Sequence, residues 1–168
     1  MRPSRRSALF GALLGAAGAI TAPAEAARLD PVAGLYAPGM IVIRALDGTA
    51  VDVDENAVTL VSGPYPHDVG PHTYVHGVER GALVTAEGAA ALAARLGINP
   101  PLAKLTRPNR TPVWIKGSAV TTLRAPMPTE RQGPGAVNAV VIIGDLHQPV
   151  HEDLATAQRV LNAHGAHV

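Results

Sequence analysis

The sequence predicts an α+β fold that is mostly β: two tandem, pseudo-symmetric β-meander units, each ending in a C-terminal helix. Three observations carry this. The chain repeats itself: Thr49 to Pro66, TAVDVDENAVTLVSGPYP, lies over Thr111 to Pro128, TPVWIKGSAVTTLRAPMP, at a shift of 62 positions without a gap. Thr49 matches Thr111, Val51 matches Val113, Ala57-Val58-Thr59 matches Ala119-Val120-Thr121, and Pro64 and Pro66 match Pro126 and Pro128. The apolar runs between the turn residues are short and β-branched, the pattern of antiparallel strands. The composition, 47% hydrophobic and 16% charged, is that of a globular chain, and with only 3% aromatic residues its core must be built from Val, Leu, Ile and Ala.

The elements follow in order. Residues 1–26 read as a signal peptide: MRPSRR is a basic n-region, SALFGALLGAAGAITA an uncharged apolar run, and Ala24-Glu25-Ala26 a small-x-small cleavage site. The run is about 16 residues, short of the roughly 20 that span a bilayer. Arg5-Arg6, with Ser4 before and Leu9-Phe10 after, has the form of a twin-arginine signal, and a general secretory signal is the alternative. Cleavage leaves 11 of 14 basic and 12 of 13 acidic residues, net −1 in place of the formal +1. No basic stripe remains for nucleic acid, and no basic amphipathic helix or cysteine for membrane anchoring. The lack of cysteine also excludes disulfides, thiolate metal sites and cysteine nucleophiles. The expected localisation is periplasmic or secreted.

A linker, 27–39, leads to unit one, 40–97; a second linker, 98–101, leads to unit two, 102–168. Each unit opens with a strand (Ile41 to Arg44; Ala103 to Arg107) and a turn. Asp47-Gly48 tolerates positive φ, whereas Asn109-Arg110 is poorer turn material. Strands are expected at Val51 to Val53 and Val113 to Ile115, then at Ala57 to Val61 and Ala119 to Leu123. Pro-rich loops interrupt, Pro64 to His72 and Pro126 to Gly135, because proline cannot donate to a ladder. A fourth strand follows (Thr73 to Val78; Val137 to Ile143), and VNAVVII is apolar enough to be buried on both faces. Glycine turns at Glu79-Arg80-Gly81 and Gly144-Asp145 lead to a fifth short strand. The closing helices are Ala89 to Leu96 and the run EDLATAQRVLNAHG. In the latter, Leu154, Ala157, Val160 and Leu161 form one apolar stripe, Glu152 and Asp153 face the helix dipole, and Gly165 is the stop. Units of about 60 residues are marginal alone, so the two are expected to share a core.

Unit two, with Lys104-Leu105-Thr106-Arg107-Pro108-Asn109, the AVTTL strand and Val150-His151-Glu152 before a helix, resembles the FlbD-type small proteins linked to flagella and swarming. The resemblance covers about 50 residues of unit two and, more faintly, unit one. It implies a small β-rich unit. The family is cytoplasmic and has no catalytic residues to carry over, and this chain departs from it by its leader, its duplication and its Pro-rich insertion.

Gly144 to Asp153, GDLHQPVHED, is also similar to a stretch of the S1/P1-type zinc nucleases, G-D-x-H-Q-P-L-H. That resemblance implies zinc on Asp145 and His151, with His147 between them, and zinc-activated water as the chemistry. The other ligands of that family do not follow: Val141 stands where it has histidine, and no H-x-x-x-D pair occurs. Pro149 between His147 and His151 forbids a helical pair, and in a strand they lie about 13 Å apart. No metal site is therefore favoured, and Asp145, His147 and His151 with zinc stand as the alternative.

The remaining candidates are weighed by placement. His67 and His72 with Asp68 fit a metal-capturing loop or simply solvated histidines; His76 lies beside that loop, and His164 and His167 sit near the C-terminus. Ser62 and Ser118 lack a nucleophile elbow. Asp52 and Asp54 alternate with Val51 and Val53, the solvent face of a strand, with Glu55 beside them. Trp114, over Asp52 in the shift, is a contact anchor or a cover for the seam between units, and Tyr65 and Tyr74 are further candidate partner contacts. The expected function is non-enzymatic: binding or scaffolding in the bacterial cell envelope, for an envelope or extracellular partner and with no cofactor. The alternative is a zinc-dependent phosphodiester hydrolase or metal-binding protein.

Overall fold

Two hairpins of the same build organise the chain. The computed structural model describes residues 39–78, 81–132 and 135–168. The expected leader and the linker up to residue 38 lie outside these, as do Glu79 and Arg80 of the first glycine turn. In the first hairpin β1 (Met40–Arg44) pairs antiparallel with β2 (Ala50–Asp54). Ala45 N donates to Thr49 O at 2.7 Å, Gly48 N to Ala45 O at 2.9 Å, and Thr49 N to Asp47 Oδ1 at 2.9 Å. In the second hairpin β6 (Ala103–Thr106) pairs with β7 (Pro112–Ile115). The same bonds recur 62 residues on: Arg107 N to Thr111 O at 2.8 Å, Arg110 N to Arg107 O at 2.9 Å, and Thr111 N to Asn109 Oδ1 at 3.1 Å. Arg110, the poorer turn residue, closes this hairpin with a left-handed φ of +67°, where Gly48 has +90°.

Each hairpin is followed by a meander and a helix. These are β3 (Leu60–Ser62), β4 (Thr73–His76), β5 (Ala82–Thr85) and α1 (Ala89–Arg95), then β8 (Thr122–Arg124), β9 (Ala139–Ile143), β10 (Leu146–Val150) and α2 (Leu154–Asn162). The fold is α+β and mostly β. No helix among the described residues is long and apolar enough to cross a membrane. The first strand of each meander starts later than expected, because Glu55–Ala57 and Gly117–Ala119 form 3-10 turns instead. Asp54 Oδ1 caps the first by accepting from Asn56 N at 2.8 Å. In the second, a Cβ on Gly117 would sit 2.2 Å from His164 O, so only glycine fits.

The sheets do not respect the halves. One has five strands in the order β5-β4-β3-β7-β6, another three in the order β10-β9-β8, and β1–β2 stands as its own pair. The joint is β3 against β7, antiparallel, with Leu60 opposite Ile115 and Val61 opposite Trp114. All three residues of β3 are buried. Side chains alternate across a strand, so Leu60 enters the core of Leu105, Ile115, Val141 and Leu161, and Val61 enters that of Ile43, Val53, Val75 and Leu92. Each such burial is worth about 1.5–3 kcal/mol. The element order recurs between the halves, but this pairing does not: Thr122, over Leu60, and Asp52, over Trp114, are both exposed.

Two details of α2 correct the sequence reading. Asp153 does cap the helix, Oδ1 accepting from Thr156 N at 2.8 Å, and this bond holds its carboxyl below the ordinary value. Glu152 instead turns away, both its oxygens accepting from Thr106 N, at 2.9 and 3.1 Å, at the edge of β6. Leu154 is 41% exposed and lies off the stripe, whereas Ala157 and Leu161 are buried. Ile98, in the expected second linker, is buried in the core of Ile43, Val61 and Leu92.

Candidate binding cleft

The first Pro-rich loop leaves β3 at Ser62 and is tied by one carboxylate. Asp68 Oδ2 accepts from Tyr65 N at 2.6 Å and Oδ1 from Tyr74 OH at 2.9 Å, while Asp68 N donates to Tyr65 O at 3.0 Å. Burial pushes the Asp68 carboxyl up, but these bonds outweigh it and hold it below the ordinary value. The same bond pushes the Tyr74 phenol up. The ring of Tyr65 meets that of Tyr74 edge-on at 4.9 Å and stacks on His67 at 5.9 Å.

Arg107, just past the end of β6, crosses to this loop. Its Nη2 donates to Gly63 O at 2.9 Å and Pro64 O at 2.6 Å, and its Nε to Thr111 Oγ1 at 2.8 Å. Its guanidinium carbon lies 5.0 Å from the centre of the Tyr65 ring. Arg107 is 3% exposed, and burial pushes its guanidinium below the ordinary value. Nη1 is shielded from solvent and has no hydrogen-bond partner among the described residues. No carboxylate there pairs with Arg107.

Beside this arginine opens a cleft of about 540 Å³, walled by Tyr65 and Pro66 of the loop, Arg107 and Arg110 of the second hairpin, and Gln148 and Pro149 of β10. None of its lining residues is acidic. Arg110 Nη1 donates to His151 Nε2 at 2.6 Å, which places the His151 proton on Nδ1, 3.2 Å from Ala136 O. Further bonds fix the His151 backbone: its N donates to Thr106 O at 2.7 Å, and its O accepts from Asn138 Nδ2 at 2.6 Å.

The expected site residues fall as follows. Tyr65 and Tyr74 meet at the loop knot. Trp114 is half-buried against the core of Ile43, Val61 and Val75, with Lys104 Nζ 5.9 Å from its ring, so it covers the seam between β3 and β7. Asp145, His147 and His151 are strung along β10: Asp145 lies in the turn before it, in a separate depression with His76, and His151 follows its far end. His151 already uses both ring nitrogens. His67 Nε2 lies 3.8 Å from Asp68 Oδ1. No three histidine or carboxylate side chains come together as metal ligands among the described residues. Sequence reasoning missed Arg107, Arg110 and Gln148. The shift held a signal for the first, since Arg107 lies over Ala45, a charge gained at the end of a strand. No family model, curated protein or solved structure matches the chain.

Proposed function

We propose that the chain is a non-enzymatic binding protein, exported by its twin-arginine-like leader to the bacterial cell envelope or beyond, and built from two tandem units of one origin. The recurrence of the hairpin bonds after 62 residues supports the common origin. The observation that carries the binding reading is the first Pro-rich loop. It is tied by Asp68 and Arg107 yet presents Val69, 91% exposed, at its tip. The second such loop presents Met127, 55% exposed. Exposed apolar side chains on a preformed support are what a contact surface needs, because little ordering entropy is then lost on binding.

The test is photo-crosslinking in living cells, followed by fractionation, with a benzophenone side chain at Val69, at Met127 or, as control, at Asp145. Specific adducts with one envelope or extracellular component from the loop positions, absent from the control, are expected. Equal adducts from all three positions, or none, would reject the reading. So would zinc-dependent cleavage of a phosphodiester by the purified chain.

A further inference from the structure

We propose that the cleft beside Arg107 is a binding site for a small organic anion, a carboxylate carried on a compact apolar body. The inference deepens the reading of the chain as a binding protein by naming a ligand class. Three observations converge on it. A buried cation is costly unless an anion compensates it, and Arg107 has no carboxylate partner among the described residues. An arginine has five N–H donors. Three of them are committed, through Nε and Nη2, to Thr111, Gly63 and Pro64, which leaves the Nη1 pair for one acceptor group. The second observation is the lining. Tyr65, Pro66, Pro108 and Pro149 supply apolar walls, Arg110 adds a second cation, and no lining residue is acidic; Asp68 behind the loop acts on Arg107 only through space, without a salt bridge.

The third observation is the backbone. Arg110 keeps a left-handed φ of +67° at the position where the first hairpin has glycine. A side chain held in such a conformation at the mouth of a cleft is how binding sites store strain. Its bond to His151 aims the guanidinium, and that bond leaves other donors of Arg110 free for a ligand. Nη1 of Arg107 is closed to solvent, with the Tyr65 ring over the guanidinium. Entry of the anion therefore requires a local opening beside Nη1, and Tyr65, whose ring packs on the guanidinium and lines the cleft, is the positioning residue of the site. A single acceptor group suits a carboxylate, and the prolines and tyrosine suit the body that carries it.

The probe is benzoate, against its neutral isostere benzamide and against inorganic phosphate, titrated into the full chain labelled with ¹⁵N. Saturable shifts at the Arg107 Nε–H and the Tyr65 amide are expected with benzoate. Benzamide should bind at least about tenfold more weakly, the factor one charge-assisted hydrogen bond contributes. Arg110→Gln, an exposed change that spares the buried bonds of Arg107, should weaken benzoate about threefold or more. Equal shifts with benzoate and benzamide, or shifts only outside the cleft, would overturn the proposal. Tight phosphate binding without benzoate binding would overturn it too. A chain that takes up benzoate but forms no crosslinks keeps this site and loses the envelope-partner reading. One that crosslinks but ignores benzoate loses this site alone.

Discussion

Gly48 and Arg110 hold the same place in two hairpins built from the same hydrogen bonds, and both have left-handed backbones. The first residue adopts that conformation freely. The second carries a side chain there at a cost of about 1 kcal/mol. Arg110→Gly should therefore recover that strain while losing one exposed hydrogen bond to His151, worth about 0.5 kcal/mol. A net stabilisation of about 0.5 kcal/mol is expected, read as a higher denaturant midpoint with an unchanged slope. The same variant should lose affinity for benzoate, a gain in stability set against a loss of binding.

Leu60 and Thr122 make a second pair at the same shift, with opposite fates. Leu60 is 1% exposed inside a core, and Thr122 is exposed at the edge of β8. Leu60→Ala should cost about 2–5 kcal/mol, the range for emptying a well-packed site. Thr122→Ala should stay within about 0.5 kcal/mol of the parent chain. Chemical denaturation of the two variants checks this, and similar losses in both would contradict the one-sided joint.

The second Pro-rich loop should respond to acid. Arg124 holds Glu130 through two bonds of 2.7 and 2.6 Å, and Met127 N adds a third at 2.6 Å. The Arg124 guanidinium, followed by the Met127 amide, holds the Glu130 carboxyl down to about 2, against an ordinary 4.5. A depressed carboxyl stabilises the fold above its unfolded value, and the contribution disappears as pH falls through the folded one. Order around Met127 should thus persist at pH 5 and fade between about 4.5 and 2. Arg124→Ala should move the Glu130 titration, followed by side-chain NMR, back toward 4.5.

Tyr74→Phe removes the hydroxyl that donates to Asp68 and leaves the ring against Tyr65. A lower denaturant midpoint with an unchanged slope is expected. Hydrogen exchange at the Tyr65 and Asp68 amides should quicken, because Asp68 then loses its tie to β4 and the loop is held only by its local turn and by Arg107 at Gly63 and Pro64. Unchanged exchange there would mean that Arg107 alone sets the loop.

Periodic features were legible in the sequence. Both hairpins, the buried run AVVII as β9, two residues shorter at its start than the expected strand, and the two closing helices follow from turn residues and apolar runs that act locally. Strand partners were not legible. Apolar runs alone do not say which strand of one half meets which of the other; Val61 lies beside Trp114 because Leu60 and Trp114 bring apolar surface to the joint, where Thr122 and Asp52 bring none. The cleft was hidden for a similar reason. Tyr65, Arg107 and Gln148 are far apart along the chain, and only the folded sheets bring them to one wall. GDLHQPVHED drew notice because its polar residues cluster in sequence. An extended strand spaces them out again, and His151 goes to Arg110.

The joint between β3 and β7 makes the two halves interdependent. Half one, severed after Gly97, would carry Leu60 bare on one face and an open ladder edge beside it, a template for aggregation. Half two alone would lose the lid over Ile115. The two halves must therefore rise and melt as one cooperative body, and a strand of three residues is its keystone.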